Sequence, residues 1–248
     1  MGHYRYQMTE GNESFLIEKN MNVSKLTSRK SFYRLAGICT VFIVLIFIAE
    51  FIVFLLLGPQ PSTALDWFNS INHNMLVGML HQYSLDILAW ILFIPFFLAL
   101  YEDLKSVNPM YSLLAITIAI IGIVLFFSQN ITFSMLYLSS QYATADNNAQ
   151  KSILLSSGTS MISIFNGTGA AISVIFMPLA QLILSIIMLK NSNYYQFTGV
   201  LGIIVNACNL LYYIPIVGNI IMAIVALPTL LWYSLISLRF YYISAEKG

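Results

Sequence analysis

Residues 151–190 read KSILLSSGTSMISIFNGTGAAISVIFMPLAQLILSIIMLK, and the way this stretch divides decides the fold. Nothing between Lys151 and Lys190 carries a charge. One straight helix of that length would be ~60 Å long, twice the ~30 Å of hydrocarbon in a bilayer. It must therefore break. Asn166-Gly167-Thr168-Gly169 is the natural breakpoint. The reading gives an interfacial or re-entrant helix over 152–165 and a spanning helix over 169–189.

Outward from it, further apolar runs are long enough to span: 32–57, 75–100 and 111–138 before it, 195–213 and 219–242 after it. Gly58-Pro59-Gln60-Pro61 stops the first, and Pro95 is placed to kink the second. The expected fold is all-α: an integral membrane bundle of six transmembrane helices, with one extra helix before the fourth span. Residues 1–31 form a polar tail, 32–242 the bundle and 243–248 a second tail. The first tail has no apolar core, so no cleavable leader is expected, and the first span acts as its own insertion signal. No inverted repeat relates the halves.

Composition agrees. Of 248 residues 58% are hydrophobic and 8% charged, against roughly 25% charged in soluble domains. Lys and Arg cluster in the first tail, with Lys105, Lys190, Arg239 and Lys247 on the same side of a six-span topology and Lys151 alone on the other. The positive-inside bias then makes both termini cytoplasmic, in a multi-pass protein of the cell membrane. Many of the tyrosines fall at span ends, as an interfacial belt requires, whereas Trp232 does not. No basic stripe exists for nucleic acid. Cys39 and Cys208 both lie in apolar runs, which leaves no disulfide framework and no thiolate zinc site.

Ionisable groups inside a membrane are costly and mark functional candidates. Three occur: Glu50, His81 and Asp86. Glu50 and His81 match in depth, ~10 Å and ~9 Å from the outer end of their spans, while Asp86 lies ~16 Å deep. Asn130 and Asn209 add amides at ~12 Å and ~6 Å. The five outline a cavity in the outer half, either a ligand site or an internally satisfied hydrogen-bond cluster. His81 and Asp86 diverge by ~140° around a regular helix, which argues against a shared metal ion; Gln82 and Asp86 share a face. No metal or cofactor is expected, and no catalytic residue is assigned.

Ser152, Ser156, Ser160 and then Ser163, Gly167, Ala171 recur every four residues, a spacing suited to close helix approach, as are Gly199 and Gly202. At the opposite end, an Arg34–Glu102 ion pair is expected between the first two spans, with Asp103 and Lys105 on a solvated helix end.

Arg34-Leu35-Ala36-Gly37, Ala49-Glu50-Phe51, Leu100-Tyr101-Glu102 with Val107-Asn108, and Gly199-Val200-Leu201-Gly202 resemble a widespread prokaryotic family of multi-pass membrane proteins known as a domain of unknown function. The likeness covers most of 32–240 and implies a compact helical bundle, without a reaction or ligand. The functional expectation is a non-catalytic bundle that binds lipid or a small molecule, or a subunit that meets other membrane proteins. The alternative is a membrane-embedded enzyme or proton-coupled carrier working through Glu50, His81 and Asp86.

Overall fold

In the computed structural model, residues 3–81, 84–191, 194, 196–212, 214 and 217–246 are described, with backbone alone for 3–26, 217, 219 and 222. Gln82 and Lys247 of the sequence reading, and positions 195 and 213 that bound one expected span, lie outside them. The described residues form ten helices: α1 His3–Leu57, α2 Ala64–His73, α3 Met75–His81, α4 Ser84–Leu104, α5 Pro109–Gln129, α6 Thr132–Thr144, α7 Asn148–Phe165, α8 Thr168–Met188, α9 Gln196–Asn209 and α10 Val217–Ala245.

Helix α1 begins far upstream of the expected tail boundary, because residues 3–31 contain no proline and many good helix formers. It ends where the sequence predicts. Gly58 adopts φ 76° and its N–H donates to the Phe54 carbonyl at 2.9 Å, an end that glycine reaches without strain. Thr63 then caps α2 by accepting from the Asp66 N–H, and Asn108 caps α5, where Pro109 occupies the first turn.

Among the described residues, five segments are long and apolar enough to cross a membrane: 27–57, 84–104, 109–144, 148–188 and 223–245. The expected sixth, α9, has 14 residues, or ~21 Å of helix. The forty-residue stretch divides at Asn166 and Gly167, as read. Two other divisions were not foreseen. The run expected to span over 75–100 is shared between α3, which ends at His81, and α4, which starts at Ser84, so the apolar segment long enough to cross begins after His81. The third run parts at Asn130-Ile131, where the Asn130 Oδ1 accepts from the Thr132 N–H at 3.1 Å and so competes with the helical ladder.

Two cores result. In the larger, α1 packs against α10 and α4, α5 against α8, and α9 between α8 and α10. Its centre is a mass of rings. Phe96 is fully buried against Phe93, Phe97, Trp232, Tyr233 and Phe240, with centroids 5.2–6.3 Å apart for the pairs it forms. Trp232, misplaced for an interfacial belt, is therefore a core residue. Hydrogen bonds stitch the helices: Gln181 Nε2 donates to Tyr233 Oη at 2.8 Å, and Ser237 Oγ to the Gly37 carbonyl at 3.0 Å. Gly202 holds α9 close, since an added Cβ would lie 2.3 Å from both Ser185 Oγ and Trp232 Nε1.

The second core is a cap beyond the end of α1, where α2 packs on α6 and α7. It is built on Trp67, Phe68, Ile71 and Met135. Gly158 of α7 makes the close approach, for its missing Cβ would meet Phe68 Cζ at 2.8 Å and Ala64 Cβ at 2.9 Å. The serine stripe does not. Ser152, Ser156, Ser160 and Ser163 are exposed, and the hydroxyls of Ser160 and Ser163 donate back to carbonyls four residues earlier. A four-residue spacing assigns side chains to one face without saying which face is covered.

Candidate functional site

The end of α1, the linker after it and α3 converge at the cap end of the bundle. There Glu50, Val53, Phe54, Gly58, Gln60, Leu80 and His81 line a pocket of about 10 Å³, roughly the room of one water. His81 Nε2 lies 3.1 Å from the Gly58 carbonyl, which can only accept, so that nitrogen donates. Gln60 Nε2 donates to the His81 carbonyl at 3.0 Å, and the Trp67 ring stands 5.9 Å from the imidazole. These contacts fix His81 by its neighbours in the linker and on α2 rather than by a carboxylate.

Glu50 Oε1 is buried without a hydrogen-bond partner, and the Asp86 carboxyl of α4 faces the Glu50 side chain. No ion pair to either carboxyl occurs among the described residues. Two facing carboxyls without a paired cation are costly at membrane depth, which makes the pair a functional candidate. Among the described residues no group of three potential metal ligands is found.

Of the five residues expected to share a cavity, the structure brings three together. Glu50 and His81 line the small pocket and Asp86 opposes Glu50. Asn130 is turned to its own backbone at the α5–α6 break. Asn209 ends α9 with Oδ1 buried and unpartnered, and no hydrogen bond ties it to the others among the described residues.

A larger cavity, about 240 Å³, adjoins the pocket. Gln60 lines both. Pro61 and Ser62 of the linker, Trp67 of α2 and Ile131 and Thr132 at the start of α6 form part of its wall; Ile162, Phe165 and Asn166 at the end of α7 complete it. The space exists because two helices break at the same level, at Asn130-Ile131 and at Asn166-Gly167, leaving a gap under α2. Sequence reasoning missed it. Its signals were Gln60 between two prolines and an asparagine at each break.

The other end of the molecule corrects a second expectation. Arg34 is exposed, and Glu102 pairs with Lys105, Nζ to Oε2 2.6 Å, one turn along its own helix. The reason is register. Tyr33, fully buried, faces the bundle, and the next residue turns ~100° away. Asp103 is not solvated but 6% exposed, 3.6 Å from Arg239 Nε of α10. The Arg239 guanidinium lies 5.6 Å from the centre of the Tyr194 ring, and Arg29 lies at the same distance over Tyr33. Burial, and then the charge of Asp103, push the Tyr194 phenol well above its ordinary value. Lys30 donates to the Glu246 carbonyl, tying the start of the bundle to its end.

Compared with protein-family models, with curated proteins and with solved structures, the chain finds no match, and the family resemblance rests on its own short motifs.

Proposed function

We propose that this is a non-catalytic integral membrane protein of a prokaryotic cell membrane, whose cap end faces outward and binds the polar end of a lipid or another small molecule. The observation that carries the reading is the 240 Å³ cavity between cap and bundle. Its wall mixes rings and aliphatic groups with a few amides and hydroxyls, the usual make-up of a small-molecule site.

Six crossings are supported by connectivity. Tyr194, just after α8, meets Arg239 near the end of α10, so α8 finishes at the end that holds the termini. Helix α10 runs antiparallel to α1, with Ser237 beside Gly37 and Glu246 beside Lys30, and therefore starts at the cap end. Only α9 joins the two. It crosses as a short helix between longer neighbours, and the basic tail with Lys105, Lys190 and Arg239 then falls on the cytoplasmic side.

The test is purification in native lipid followed by native mass spectrometry. A bound small molecule is expected on the wild-type chain and lost from Ile162→Trp, whose indole fills the cavity. A ligand-free wild type, or equal retention by the variant, removes the reading. The facing carboxyls of Glu50 and Asp86 favour a second reading, a proton-coupled carrier. It requires a water path to the other end, and the rings around Phe96 fill that route. Proton uptake by reconstituted vesicles, absent in Glu50→Gln, would establish it.

A further inference from the structure

We infer that the group seated in the 240 Å³ cavity is neutral and hydroxyl-bearing, a glycerol- or sugar-type head. This rests on the proposed binding role and gives that site its ligand class. Among the described residues no Lys, Arg, Asp or Glu lines the cavity. A phosphate or carboxylate entering it would lose water and find no cation on the wall. An ammonium head fares no better. It reaches Glu50 only through a pocket of about 10 Å³, the room of one water.

What the wall offers instead suits hydroxyls. Gln60 spends its Nε2 on the His81 carbonyl and keeps Oε1 as an acceptor. Ser62, Thr132 and Asn166 can each donate and accept, as a polyol requires on every carbon. Trp67, held in place against His81, gives the wall aromatic carbon surface for the C–H side of a glycerol or sugar ring. The volume fits a head group and not a whole amphiphile, since sites for drug-sized molecules run to roughly 300–1,000 Å³. Exposed Phe133 and Ile164 flank the two helix breaks and give an acyl chain apolar surface to leave along.

The experiment places the full chain in nanodiscs holding equal mole fractions of a neutral glycosyl diacylglycerol, anionic phosphatidylglycerol and a cationic single-amine lipid, and weighs what stays bound by native mass spectrometry. The glycolipid is expected to be enriched about tenfold or more over both charged lipids, the discrimination of one or two hydrogen bonds left unmade. Thr132→Val with Asn166→Ala should erase the preference. Ile162→Trp, and Ser62→Trp at the exposed rim as a variant that spares the core, should abolish retention. Competition by free methyl glucoside identifies a soluble source for the head, and its failure to compete identifies the lipid; either upholds the inference. Retention of a charged lipid that Ile162→Trp still blocks overturns the ligand class alone. Retention that neither tryptophan variant alters overturns the binding role itself.

Discussion

The bundle and the cap bury apolar side chains in opposite ways. Phe96 and five further aromatic residues from two helices interlock, and among their polar atoms Tyr233 Oη is tied across helices to Gln181. In the cap, four buried residues sit beside a cavity and are held by a polar seam between Ser139 and Asn72. A filled interior resists both ligand and water, whereas a small core next to a void can yield to a guest at low cost. Filled packing and open space thus lie at different ends of one chain.

The largest effect that could break this comparison is at Phe96. Phe96→Ala should cost about 3–5 kcal/mol, seen as a lower unfolding temperature in detergent. Phe68→Ala, equally buried in the cap, should leave that transition in place while increasing proteolysis between α6 and α7. If both variants lower one common transition by the same amount, the two cores are a single cooperative unit and the contrast is lost.

Next in size is the buried pair that closes the bundle away from the cap. Removing Arg239 alone strands Asp103, 6% exposed, and should cost about 3 kcal/mol. Replacing both, Asp103→Leu with Arg239→Met, should recover most of that loss, measured by the same melting experiment. Failure of the double variant to recover would show that Tyr194 and Arg29, gathered at the same place, depend on the charges themselves.

How far the sequence carried the reading follows the same divide. Long apolar runs and strong breakers were legible: the stop at Gly58, the division at Asn166 and Gly167, and the close packing of Gly202 all stand in the structure. Glu50 and His81 do line one pocket, but His81 ends the short helix α3 instead of lying inside a span, so the depth counted along a single helix over 75–100 does not apply to it. The cap was not legible. Residues 64–73 fall between two expected spans, since ten residues with a half-apolar pattern lie below any spanning threshold, although Thr63 and Asp66 form a good N-cap. The break at Asn130 has no proline or glycine to announce it, and the serine stripe on α7 has the right spacing on the wrong face. Register across helices, which decides Arg34 against Arg239 as the partner of the acidic pair on α4, is a tertiary quantity that one helix's sequence does not contain.

A smaller change sharpens the picture of the cap. Gly158→Ala puts a methyl into Phe68 and Ala64, and because Ala64 is anchored on the helix backbone the overlap is not relieved by one rotamer. The expected cost is about 1–3 kcal/mol, confined to the α2–α7 contact. Hydrogen exchange should rise in α2 and α7 and stay unchanged in α8. Wider exchange, reaching α8, would mean the cap props up the bundle.

The finest test concerns the seam that shuts the cavity. Ser139 Oγ lies 2.8 Å from Asn72 Oδ1 and 3.2 Å from the Phe68 carbonyl, and Asn72 Nδ2 donates to the Ser139 carbonyl at 3.3 Å. The hydroxyl has one proton, which serves one of its two acceptors at a time. Ser139→Ala should therefore cost about 1 kcal/mol, the net value of one bond, with nothing new left buried that the exposed Asn72 cannot turn toward water. That is a several-fold rise in local opening, readable as faster exchange of the α2 amides. Because this seam joins α2 to α6 and so frames the cavity, faster opening should also shorten the residence of any bound head group without touching a residue that contacts it. Unchanged release alongside faster exchange would show that the guest leaves by another route, between α7 and the linker at Ser62.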